Sequence, residues 1–100
     1  MEKGDGFIMD QSSEKEEKPL PKIDFSSFVL SLYSSGLVQL GKVEDPSTGK
    51  KAVHLDLAKH TIEIIAMLEK KTRGNLNEEE QNLLKALLSE IRMAFVEAKA

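Results

Sequence analysis

Residues 25–41, FSSFVLSLYSSGLVQLG, decide the fold. Phe25, Phe28, Val29, Leu32, Tyr33, Leu37 and Leu40 recur at the three-and-four spacing of a helical face, Asp24 stands where an N-cap belongs, and Gly41 is suited to the C′ position that closes a helix. Leu30 and Val38 lie off that face, so the helix is apolar on more than one side. Ser27, Ser31 and Ser35 form a ladder at intervals of four, with Ser34 and Gly36 beside it. Small residues in such a row let another helix backbone approach closely. The stretch carries no charge, which raises the question of a membrane span. At about 1.5 Å per residue it reaches about 25 Å, short of the roughly 30 Å hydrocarbon core, and its serines and Gln39 suit a buried helix outside the bilayer.

Upstream, the composition changes abruptly. Residues 1–22, MEKGDGFIMDQSSEKEEKPLPK, are rich in charge and poor in apolar side chains, and Pro19 and Pro21 deny helical geometry at their end. This composition predicts a disordered tail, with residues 23–100 as the single domain. The tail lacks the apolar run and cleavage site of a secretory signal. Phe7, Ile8 and Met9 are its one apolar trio.

Downstream, residues 42–55, KVEDPSTGKKAVHL, interrupt the helical rhythm with Asp45-Pro46 and Ser47-Thr48-Gly49, which is turn chemistry. The flanking apolar positions are too short for a sheet and predict an ordered loop with a few β contacts. Asp56 reads as the N-cap of a second helix over about 57–73, with Leu57, Thr61, Ile62, Ile65 and Leu68 inward, Lys70, Lys71 and Arg73 in its last turn, and Gly74 ending it. Asn77 opens a third helix over about 78–97, with Glu80 placed for a capping box. Its face runs through Leu83, Leu84, Leu87, Leu88, Ile91, Ala94 and Phe95, continuing through Val96 and Ala98. A connection as short as 73–76 predicts that helices 2 and 3 form an antiparallel hairpin. The expected architecture is therefore an all-α, three-helix domain whose first helix covers the groove between the other two.

Most chemistry can be set aside from the residues themselves. The chain has 100 residues, a formal charge of −3 and no cysteine. That excludes a disulfide scaffold and thiolate chemistry, and it weighs against nucleic-acid binding, whose affinity comes from clustered Lys and Arg. A DNA-reading helix would also present Glu78, Glu79 and Glu80 to phosphate. The string GKVEDPSTGKK has Glu44 and Lys51 where a phosphate loop requires glycine and Ser or Thr. The serines cluster in the uncharged first helix, where no base at a useful spacing activates them. His54, Asp56, His60 and Glu63 can be drawn as a metal site, but charged residues at these spacings line the outside of any amphipathic helix. No cofactor, metal or catalytic residue is assigned.

The series FSSFVLSLYSSGLVQLG, DPSTGKK, VHLDLAKHTIEIIAMLEKKTRGNLNEEEQNLL and IRMAFVE resembles the small bacterial proteins grouped as domain of unknown function 1844, over about residues 23–97. Its most distinctive pieces are Lys71-Thr72-Arg73-Gly74-Asn75-Leu76 and the stretch from Leu40-Gly41 to Asp45-Pro46. Tyr33 stands where the family pattern leads one to expect a small residue, and Phe95 where it leads one to expect tyrosine. The resemblance implies a bacterial, cytoplasmic protein and brings no activity, cofactor or catalytic residue with it.

The expected role is that of a non-enzymatic interaction module, as a homodimer or with another protein partner, without nucleic acid and without insertion into a membrane. Phe28, Ser31, Leu32 and Ser35 are the expected interface. The alternative is a small metal-dependent or ligand-binding enzyme built on residues 42–63.

Overall fold

A computed structural model describes Leu20 and residues 23–100. The expectation of a disordered tail falls on residues 1–22, outside the described ones apart from Leu20. The described chain forms three helices, α1 (Phe25–Gln39), α2 (Leu55–Lys71) and α3 (Glu78–Lys99). Each packs against both of the others. The core is shared by all three: Val29 and Leu40, then Ala58, Ile62 and Ile65, then Leu84, Leu87, Leu88 and Ile91. This is the all-α, three-helix domain expected, with α2 and α3 as the hairpin.

The caps explain where the helices begin and end. The Asp24 carboxylate accepts the Ser27 backbone N–H at 2.7 Å, satisfying one donor that a helix start leaves unpaired. Gly41, at φ 74, donates its N–H to the Val38 carbonyl while Lys42 donates to Leu37. These paired bonds close α1 on a left-handed residue that glycine adopts without strain. Asn77 and Glu80 form the expected capping box, with Asn77 accepting from Glu80 N–H at 2.8 Å and Glu80 accepting from Asn77 N–H at 3.0 Å.

Several boundaries and faces differ from expectation. The N-cap of α2 is His54, not Asp56, and it makes no side-chain capping bond. His54 instead donates its backbone N–H to the Gln39 carbonyl at 2.7 Å, so a tertiary hydrogen bond to the end of α1 sets where α2 begins. The C-cap of α2 is Thr72, and Gly74 (φ 88) lies two residues on, inside a turn closed by the Asn75 N–H on the Thr72 carbonyl. Leu57 and Val96 are exposed rather than inward, each having its outer side uncovered at an end of its helix.

Residues 42–54 hold two isolated antiparallel bridges, Leu40 with Val53 and Asp45 with Lys50. Between Asp45 and Lys50 the chain makes a tight reversal. Asp45 accepts both the backbone N–H and the hydroxyl of Ser47 on one carboxylate oxygen, and Gly49 takes φ 71 to complete the turn. The Ser47 bonds, the hydroxyl first, hold the Asp45 carboxyl below its ordinary range. The outer bridge lays Val53 against Gly41, where a Cβ would meet Val53 Cγ2 at 2.9 Å.

Candidate interaction surface

The first helix has an inner and an outer half. Val29 and Gly36 are its buried residues. Gly36 faces α3 so closely that a Cβ there would run into Ile91 Cδ1, and it also lies against Thr61 of α2. Glycine in a helix interior carries a penalty of about 1 kcal/mol, and close approach of all three helices is what offsets it. Nearby, the Thr61 hydroxyl donates to Gln39 Oε1 at 2.7 Å, and the Tyr33 hydroxyl donates to Glu90 Oε1 at 2.8 Å. That bond to Glu90, with partial burial and the carboxylate's charge, raises the Tyr33 phenol above its usual range.

On the outer half, Ser27, Ser31, Ser34 and Ser35 are all exposed. Phe28 is 51% exposed and Leu30 44%. At 100° per residue Ser27, Ser31, Ser34, Ser35 and Val38 form the middle of this face, with Phe28 at one margin and Leu30 at the other. No charged side chain interrupts it. The Ser31 hydroxyl donates to the Phe28 carbonyl at 2.7 Å, so its hydrogen bond is made within the helix. Of the four residues expected at an interface, Phe28, Ser31 and Ser35 stand on this open face. Leu32 is half-buried and packs against the core.

Beside the C-terminal half of the face runs a groove of about 490 Å³, bounded by Ser35 and Val38 of α1, Asp45 and Pro46 of the turn, and His54 and Leu57 at the start of α2. Sequence reasoning missed this groove, because it depends on how the 42–54 loop folds back beside α1. Gly36, expected beside the serine ladder as one of the small residues that allow close approach, is where that approach is made within the subunit.

The other candidate chemistry finds no supporting geometry. Among the described residues no group of three or more His, Asp or Glu side chains is placed to hold a metal ion, and His54, Asp56, His60 and Glu63 are exposed. The backbone amides of Ser47, Thr48 and Gly49 all bond to Asp45, and that of Lys50 bonds to the Thr48 hydroxyl, so the turn has already used the donors a phosphate would need. Arg73 of the basic cluster pairs with Glu69 at 3.1 Å. Among the described residues no helix is long and apolar enough to cross a membrane.

Fold and surface together define a small three-helix domain whose most distinctive exterior is an uncharged helix face beside a groove. The chain belongs to the family described as Domain of unknown function (DUF1844), which matches residues 22–97. No curated protein and no solved structure matches it.

Proposed function

We propose that this chain is a non-enzymatic interaction module of the bacterial cytoplasm, and that it associates with a second copy of itself through the outer face of α1. The reading rests on one observation: α1 is uncharged along its length, yet Val29 and Gly36 are its buried residues while Phe28 and Leu30 remain about half exposed. A half-exposed Phe or Leu forgoes on the order of 1 kcal/mol of burial, and a soluble surface normally places charge between such residues. Here the intervening positions are serines, which a second helix backbone can approach. Sedimentation equilibrium across micromolar concentrations tests the proposal. A reversible dimer is expected, and a monomer at every concentration removes the reading.

A further inference from the structure

Building on that self-association, we propose that two copies pair their α1 helices antiparallel about a two-fold axis at Ser31, each seating its Phe28 ring in the other's groove between Ser35, Val38, Pro46 and Leu57. Phe28 and Ser35 lie seven residues apart, two helical turns along the same line of α1, with Ser31 roughly midway. A staggered head-to-tail pairing seats one ring only, whereas a two-fold rotation near Ser31 matches the ring three residues before it with a recess that runs from about four residues after it, reciprocally. Both rings are then seated at once.

Two observations favour a second copy as the occupant. The α1 face is uncharged in a chain that is 31% charged, and a second copy brings an uncharged helix face of the same shape, while the carboxylate that lines the groove, Asp45, already accepts two bonds from Ser47. The residue placed at the axis has its hydroxyl bonded to the Phe28 carbonyl, so covering Ser31 strands no donor. A helix face about 22 Å long and about 10 Å wide offers on the order of 200 Å², against the roughly 800 Å² per partner of a standard interface, so the helix pair alone is not enough. Seating Phe28 in the groove brings Pro46, Leu57 and the adjoining exposed Val53 toward the contact and extends the area beyond the helix pair.

The chain contains no cysteine, so single-cysteine variants of the full-length protein report the register directly. Under this pairing Ser31→Cys oxidises to a disulfide dimer on its own. Ser27→Cys and Ser35→Cys crosslink to each other when mixed but poorly alone, because like residues lie about 12 Å apart along the axis and a disulfide spans at most about 6.8 Å between Cα atoms. Phe28→Ala weakens the dimer at least about tenfold in sedimentation equilibrium, with helix content unchanged by circular dichroism. Equal self-crosslinking at all three positions denotes a parallel pair, which overturns the register while self-association stands. A wild-type dimer that crosslinks at none of them and is indifferent to Phe28→Ala uses another surface and also overturns it. A full-length monomer that dimerises once residues 1–22 are deleted puts that segment on the face and refutes the proposal, and a monomer in both forms removes it together with the reading beneath.

Discussion

On the inner face of α1, a small residue is pressed against Ile91 and Thr61 by two neighbouring helices. On the outer face, small residues of much the same size meet solvent. Gly36 and Ser35 are adjacent in sequence and about 100° apart around the helix, the first facing the other two helices and the second facing solvent. The contrast shows that a small side chain in a helix records a close approach only where another backbone or side chain arrives to use it. Within one subunit the approach at Gly36 is used and the one at Ser31 and Ser35 is not, and the dimer proposed above is the second use.

The sharpest way to break the comparison is to empty the inner side. Ile91→Ala removes a fully buried side chain at the point where the three helices meet and is expected to cost about 2–5 kcal/mol in urea unfolding. Gly36→Ala comes next. A gain in helix propensity works in its favour, but the end of the fully buried Ile91 side chain must shift within the core to admit the methyl, so a net loss of about 1–3 kcal/mol is expected. A neutral or stabilising result would mean that the helices are less closely set than described. Thr61→Val strands Gln39 Oε1 without its donor and should cost about 1 kcal/mol in the same assay.

Tyr33→Phe should cost less than about 1 kcal/mol, because the bond to Glu90 is near solvent. Its pH dependence has a definite sign. The folded phenol titrates above its ordinary value of about 10, so the advantage over Tyr33→Phe is complete below that pH and is lost as pH rises through the folded pKa. Thermal melts of the two proteins from pH 7 to 11 should converge only at the alkaline end. Smallest of all, Ser35→Ala on the outer face should change monomer stability by less than about 0.5 kcal/mol, a value that sharpens the distinction from Gly36→Ala one residue away.

Much of this is legible in the sequence, and where the reading fails the cause is a contact between separate segments. Asp24, Gly41 and the Asn77–Glu80 pair act on backbone groups within four residues of themselves, so sequence spacing is enough to place them. The beginning of α2 was misjudged at Asp56 because the deciding bond runs from His54 to Gln39, a partner brought near only by folding. Leu57 and Val96 were assigned inward on periodicity, which gives the direction of a side chain but not whether anything stands opposite it. Residues 42–55 were expected to form an ordered loop with a few β contacts, and two bridges are present.

Hydrophobic spacing and end-capping determined, from the sequence alone, that there are three helices and roughly which stripe of each turns inward, because helix periodicity and capping act over a few residues. Which small residue sits at the crossing of the helices, that the serine face of α1 stays uncovered, and that a groove opens between α1 and the Asp45–Pro46 turn were decided by tertiary structure. They depend on distances between segments far apart in the chain, which no pattern within a single segment records.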